Sequence, residues 1–526
     1  MRRALVALAA IPALLATLAL PSDARTLRWG NQGDVMSMDP YAYYTTINAS
    51  FLQNIYEPLI RFDRNLKLEP SLATEWRMTD ATTWRFTLRP GVKFHDGSPF
   101  TADDVVASLK RASHPDSPYR PATHAIKDVR KVEELVVDVE MQTPYPILIN
   151  DLSGVYIMSR DWLAKHGALE PFNPAKGGES YAHMNANGTG PFILKSRRPD
   201  SETVLTVNPN WWDKTGHNLT EVVFKPVNND ATRVAGLLSG ELDLIVPAPL
   251  QDIERIQKSP DLQALLGDDL RVMYFGLNLG VAELNAGNVK GKNPLADVRV
   301  RQALYQAVDV EAISKRLMRG YAKPIATMVA PQIQGYDPAL AERAAPFDPE
   351  AAKKLLAEAG YPNGFQLGLD CPSDRFVNAE RMCQSIVPMW ERIGVKVVYS
   401  PQPDSIYFKK MMSGGSDVFL IGWANTPQID AYSILNNCIH TPSPRHGRWN
   451  PGKYSNPEVD RLIESASVEL DLAKRTKLMS DAFRIFRAEY GAIPLYQEPL
   501  AWAARKNVKV AIAPDNKMRL FFARMD

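Results

Sequence analysis

Polar and apolar positions change their period repeatedly along this chain. In "TTWRFTLRPGVKF" (82–94) bulky and polar residues alternate. Trp84, Phe86 and Leu88 fall on one face, which predicts a strand bent at Pro90-Gly91. Asp96-Gly97 then predicts a tight turn, because glycine takes positive φ without a steric penalty. Thr101 is placed to cap a helix whose third residue is Asp104, with Val105, Val106 and Leu109 on its buried face. Every polar residue of "RPGVKFHDGSPFTADDV" (89–105) thus has a structural task, so His95–Asp96 reads as scaffold and not as a proton-transfer pair.

Further along, "EELVVDVEM" (133–141) alternates as a strand does, and "VRVRQALYQAVDVEAISKRLM" (298–318) has helical spacing. Residues 456–490 read as two helices broken near Asp471, with "AIPLYQ" (492–497) returning as a strand. Forty prolines are scattered throughout, which predicts many short elements joined by ordered turns. Strands and helices mixed irregularly in this way predict an α/β protein.

The first 24 residues stand apart. Arg2 and Arg3 precede an apolar run from Ala4 to Leu20, and Ser22-Asp23-Ala24 offers small residues for a peptidase. This pattern predicts a secretory signal peptide cleaved after Ala24, and hence export. The remaining length suits two or three domains. A net charge of +2 gives no general drive toward nucleic acid or an anionic membrane. Three cysteines, Cys371, Cys383 and Cys438, cannot all pair within one chain. Export permits a Cys371–Cys383 disulfide, three buried thiols remain an alternative, and the spacing matches no zinc pattern.

The opening stretch in its context, "PSLATEWRMTDATTWRFTLRPGVKFHDGSPFTADDVVASLKRA" (70–112), resembles the signature of the family 5 extracellular solute-binding proteins. These form the peptide- and nickel-binding class that feeds ABC importers. "NIYEPLIRFD" (54–63), "GTGPFIL" (188–194), "YFGLNLG" (274–280), "NPLADVRVRQALYQAVD" (293–309), "AKKLLAEAGYPNG" (352–364), "GWANTPQIDAYSIL" (422–435) and "YSNPEVDRLIESA" (454–466) follow in the family's order. The resemblance implies a periplasmic binding protein-like α/β fold, with two lobes closing on a ligand by a hinge and a third domain inserted in lobe one. Lobe one would be residues 25–60, 187–273 and 498–526, the insert 61–186, and lobe two 274–497. It also implies a monomer in the periplasm that hands a peptide or peptide-like solute to a membrane permease.

Site residues follow from the same resemblance. In "LGLDCPSDRFVNAERMCQ" (367–384), Arg375 falls on the arginine that pairs with a ligand carboxylate in dipeptide-binding members, a grip that a planar guanidinium makes with two parallel hydrogen bonds. The alternative is a solvated pair with Asp374. The loop "GWANTPQID" (422–430) would run beside the ligand, with Trp423 as an apolar wall and the backbone of Ala424, Asn425 and Thr426 open to an extended peptide. Those relatives carry an aspartate for the ligand amine where this chain has Thr426, and Asp430 is the nearby acid. From lobe one, Tyr44, Thr45 and Thr46 would face the ligand, with Asn48 capping the following helix. Asn278 serves either the site or the hinge backbone.

On the same scaffold an oligosaccharide, an opine-like or a glutathione-like solute is the alternative cargo, since the fold does not settle ligand identity. Two further rivals remain. A metal-chelate carrier could use His440 and His446, although eight histidines show no dense cluster and turn histidines are the plainer reading. An exported hydrolase would be expected to show a G-x-S-x-G, H-E-x-x-H or Walker pattern, none of which occurs. The chain therefore reads as non-enzymatic, without cofactor or metal.

Overall fold

The computed structural model describes residues 25–526 apart from 44, 174–176, 178–179 and 215. The leader and Tyr44 lie outside the described residues. An eleven-stranded mixed sheet runs through the molecule. From one edge its order is Lys396–Gln402, Gln366–Pro372, Val418–Trp423, Leu262–Leu277, Ala492–Arg505, Leu244–Val246, Thr26–Asn31, Glu221–Pro226, Glu202–Val207 and Phe192–Arg198. The short strand Lys323–Pro324 adds to Ala492–Arg505.

Two long antiparallel strands, Leu262–Leu277 and Ala492–Arg505, form the spine, and their register slips between Asp268 and Val272. Such a bulge bends and twists a ribbon. The neighbouring strands attach on opposite sides of it. Leu244–Val246 pairs at Ala503 and Ala504, beyond the slip, and brings the parallel strands Thr26–Asn31 and Glu221–Pro226 with it. Val418–Trp423 pairs with Val272–Leu277, on the other side of the slip, and carries the parallel strands Gln366–Pro372 and Lys396–Gln402. Two lobes thus share one bent ribbon. The two apolar clusters, one containing Trp29, Phe51 and Phe224 and the other Phe275, Leu304 and Trp390, each draw residues from both lobes, so that adjacent strand residues such as Leu244 and Ile245 fall in different clusters.

A second sheet of four antiparallel strands, Ala73–Met78, Thr83–Leu88, Val136–Met141 and Ile126–Glu133, is inserted in the first lobe and covered by the helix Ala102–Ser113. Phe86 and Leu88 are buried, as the alternation predicted. Gly91 and Gly97 both take positive φ at the bend and the turn. Asp104 accepts a hydrogen bond from the Thr101 backbone N–H at 2.8 Å, closing the helix start. His95 Nε2 lies 3.0 Å from the Gly190 carbonyl oxygen, and burial pushes the imidazole down to about 4. A neutral, tethered ring of this kind braces the return from the insert at "GTGPF".

Two sequence expectations need correction. The helical pattern 298–318 is interrupted: Val298–Gln306 ends, and Asp309 caps a new segment by accepting from the Ala312 N–H at 2.9 Å. A side chain that competes for backbone N–H groups restarts the helix where periodicity alone runs on. The strand read over 133–141 begins at Val136, because Glu133 ends the preceding strand of a hairpin. The break at Asp471 is observed, with its carboxylate accepting from the Lys474 N–H at 2.9 Å. No helix among the described residues is long and apolar enough to cross a membrane.

Candidate functional site

The segment before Thr46–Leu52 is fixed by a buried ion pair. Arg111 of the insert grips Asp39 with two hydrogen bonds of 2.7 and 2.6 Å, and both side chains are almost fully buried. Thr45 caps the helix, accepting from the Asn48 N–H at 3.4 Å. Asn48 therefore does not take the capping role expected of it. Its Oδ1 accepts from the Met36 N–H at 2.9 Å instead. Thr45 is exposed and Thr46 half-buried, so both are accessible.

The loop 422–430 leaves the end of strand Val418–Trp423. Trp423 is half-buried, donates from Nε1 to Ser433 Oγ at 3.2 Å and meets Trp449 edge-on at 6.0 Å. Asn425 is buried in the left-handed region at φ 52°, and its Oδ1 accepts from the Ile434 N–H at 3.2 Å. Ala424 and Thr426 are partly exposed on either side of it. Asp430 is paired within the protein. Its carboxylate accepts two hydrogen bonds from Arg475 at 2.7 and 2.8 Å, with both side chains buried. The carboxylate also accepts from the Tyr432 N–H at 2.8 Å, so it is committed to the loop's own frame.

Arg375 sits on the loop joining strand Gln366–Pro372 to helix Ala379–Glu391. The disulfide Cys371–Cys383 closes that loop, while Cys438 is free and buried. Glu498, on the long spine strand, accepts from the Val377 N–H at 2.9 Å. Arg271 bonds Glu498 at 3.0 Å and lies over the Phe376 ring at 5.7 Å. The Arg271 stem also packs on Gly422, where an added Cβ would come within 2.8 Å of its Cδ. Arg271, which sequence reading missed, thus ties the Arg375 loop to the strand that ends in Trp423. Arg375 itself is half-exposed, and Asp404 is its acidic neighbour at 4.0 Å. Asp374, the partner expected under the alternative reading, accepts from the Asp404 N–H at 2.8 Å instead.

The parts of the molecule meet at one small cavity of about 70 Å³. Thr45 and Thr46 border it from the first lobe, Tyr119 and Gly154 from the insert, and Thr426 and Pro427 from the second lobe. Lys517 completes the wall from the C-terminal segment. The cavity brings together three of the expected residues but not Arg375, Trp423 or Asp430. Beside it the loop is latched to the insert. Asn150 donates to the Gln428 carbonyl at 2.7 Å, and Gln428 Nε2 donates to Asp151 at 2.7 Å. Asp151 also accepts from the Tyr145 hydroxyl at 2.7 Å. Burial, with the Asp430 charge adding to it, pushes the Asp151 carboxyl up to about 7. Contact here is close: a Cβ on Gly154 would lie 2.9 Å from Pro427.

The remaining polar candidates serve the scaffold. Asn278 is buried and donates to the carbonyls of Gly414 and Ser416 at 3.0 and 2.9 Å, holding backbone. His440 and His446 are not isolated turn residues. Their rings stack at 4.3 Å, and Glu464 joins them in a group whose donor atoms lie within 4.8 Å of one another. His440 is nevertheless committed, with Nδ1 at 2.8 Å from the Thr441 carbonyl and Nε2 at 3.3 Å from Glu464.

A bent two-strand hinge, two lobes, and a cavity walled from both define a protein that encloses a solute. Residues 67–443 match the bacterial extracellular solute-binding proteins, family 5, and the chain belongs to that family. It is 28% identical over 488 residues to the glutathione-binding protein GsiB of Salmonella paratyphi A, covering 90% of this chain and 89% of that protein. Among solved structures it resembles HbpA2 from Haemophilus parasuis, with a TM-score of 0.79, 26% identity and coverage of 95% and 100% of the two chains. The periplasmic binding protein DppA from Helicobacter pylori, in complex with peptide STSA, shares the fold at a TM-score of 0.75 and 23% identity, covering 95% of this chain and 98% of its own.

Proposed function

We propose that the protein is the periplasmic receptor of an ABC importer, and that it captures a peptide or peptide-like solute between its lobes and delivers it to a membrane permease without altering it. The observation that carries this reading is the cavity walled at once by Thr45 and Thr46, by Thr426 and by the insert. Enclosure there removes water and strengthens each polar contact. The register slip at Asp268–Val272 supports a hinge, and with it lobe boundaries near 273/274 and 497/498. About 70 Å³ is far below the roughly 300–1,000 Å³ of small-molecule sites, so a peptide enters by parting the lobes.

In this reading Arg375 grips the ligand's terminal carboxylate. Its nearest acid is 4.0 Å away, which leaves the guanidinium fork available, and the disulfide with Glu498 and Arg271 holds its loop. Trp423 forms an apolar wall. The leader would direct export and be cleaved after Ala24. Relatives named for glutathione and structures solved with peptides favour a short peptide-like cargo.

Thermal shift of refolded, ligand-stripped protein tests this. The panel should contain di- to pentapeptides, N-blocked peptides, glutathione, nickel with histidine, and oligosaccharides. A ligand at about a hundred times its dissociation constant adds roughly 2.7 kcal/mol. A peptide that stabilises the protein, is recovered intact, and loses its shift in Arg375→Ala bears the reading out. Stabilisation by sugars or metal complexes alone overturns the peptide assignment.

A further inference from the structure

Lys517 is 8% exposed, yet among the described residues its ammonium has no hydrogen-bond or ion-pair partner. Its nearest acid, Asp515, is taken by Arg519 through two hydrogen bonds of 2.9 and 2.8 Å. The side chain borders the interlobe cavity and a second, smaller one. In the smaller cavity the lining carboxylate is Glu57, which already accepts from Trp211, Trp212 and Thr189 at 3.1, 2.8 and 2.8 Å. Asp515 supports this cation only through space, since its side-chain hydrogen bonds go to Arg519. Burial disfavours the charged form, and with the Arg519 charge it outweighs the support of Asp515, so the Lys517 ammonium is pushed down from its usual range. An unpaired ammonium in a protein interior is retained at a cost to stability, which is offset when a bound anion completes it.

The chemistry of the interlobe cavity is one-sided. Its described lining carries one cation, Lys517, and no carboxylate, with Thr426 across from it and Asp430 withdrawn into its pair with Arg475. A ligand ammonium would find only like charge here, whereas an acid would find a buried lysine and the Thr45 and Thr46 hydroxyls. We propose that Lys517 is the first lobe's anion contact, and that the cargo is a peptide-like solute carrying a second carboxylate besides the one assigned to Arg375. This rests on the peptide reading above and narrows it to dianionic members of that class. A charge-assisted hydrogen bond in a closed site predicts about a ten- to hundredfold share of affinity.

Calorimetric titration of wild type, Lys517→Met and Lys517→Arg provides the test. The probes are glutathione, 4-aminobutyryl-cysteinylglycine (glutathione without its glutamyl α-carboxylate), Glu-Ala and Ala-Ala. Wild type is expected to bind a dianionic probe, glutathione or Glu-Ala. K517M should lose at least tenfold for it, K517R should recover part, and both proteins should bind the glutathione analogue equally. The melting temperature of ligand-free K517M should be unchanged or higher, since an unpaired buried charge has gone. A purely structural lysine would lower it. Equal affinity of K517M and wild type for a dianionic probe overturns the inference, as does an equal loss for glutathione and its analogue. Wild type binding Ala-Ala but neither acidic probe overturns it while leaving the receptor for peptides standing. Wild type binding none of the four overturns this inference, and the peptide reading falls with it only when the longer and N-blocked peptides of the thermal-shift panel also fail.

Discussion

Asp151 offers the sharpest test of the electrostatics around the cleft. It belongs to the insert, accepts from Gln428 of the opposite lobe and from Tyr145, and burial pushes its carboxyl up to about 7. In the unfolded chain an aspartate titrates near 3.9. Below that value both states hold the proton and the group contributes nothing to pH dependence. Between about 4 and 7 the native state keeps a proton that the unfolded state has released, so stability falls as pH rises. Above 7 the full effect remains, about 4 kcal/mol for a shift of roughly three pKa units.

Asp151→Asn keeps an acceptor for Gln428 and a polar partner for Tyr145, and removes the ionisation. Its gain over wild type should be about 1 kcal/mol at pH 4.5 and about 4 kcal/mol at pH 8.5. With about 1 kcal/mol/K of unfolding entropy for some 500 residues, that difference is about 3 °C of melting temperature between the two pH values. Glu57 and Asp269 are also buried and raised to about 7, so wild type declines further for other reasons, which the comparison with D151N cancels. Scanning calorimetry of both proteins from pH 4.5 to 8.5 reads it directly. A shift of equal size at both ends, or a less stable D151N at pH 8.5, would mean that burial does not raise the Asp151 carboxyl in the native protein, and the reasoning fails.

Other changes probe the frame that holds the site. Arg475→Met strands the buried Asp430 carboxylate and should destabilise the protein by about 3–5 kcal/mol in urea unfolding, with Asp430→Asn added in the same chain recovering most of it. No recovery would show that Arg475 acts through packing. Replacing Cys371 and Cys383 by serine opens a twelve-residue loop and should lower stability by about 3 kcal/mol. The same variant should weaken binding of any peptide that depends on Arg375, since the disulfide also anchors that loop. Unchanged affinity would place the loop's order in Glu498 and Arg271 instead.

The sequence carried the fold well wherever local chemistry decides it. The Asp96-Gly97 turn, the Thr101–Asp104 helix start and the break at Asp471 are each set by a few adjacent residues, and all three are observed. Periodicity overran where such chemistry interrupts it, at Asp309 inside 298–318 and at Glu133 in the hairpin. The spine was visible only in its second half, at "AIPLYQ". Its partner Leu262–Leu277 pairs with residues more than 200 positions away, and no local pattern encodes that.

The site divides on the same line, because a ligand cleft is defined by which distant side chains lose their partners. Motif order brought Thr45, Thr46 and Thr426 to one cavity, yet the acid beside them in sequence, Asp430, is cancelled by Arg475 from a helix 45 residues on. Asn150 and Asp151 meet Gln428 across 278 and 277 positions. Lys517, in "APDNKMRL", looks in sequence like a solvated charge in a polar turn, flanked by an aspartate and an arginine. Folding pairs those two neighbours with each other and buries the lysine beside an aspartate whose hydrogen bonds are already taken. A charge left over after such pairing marks where a ligand supplies the missing partner, and that remainder can be counted only once the chain has folded.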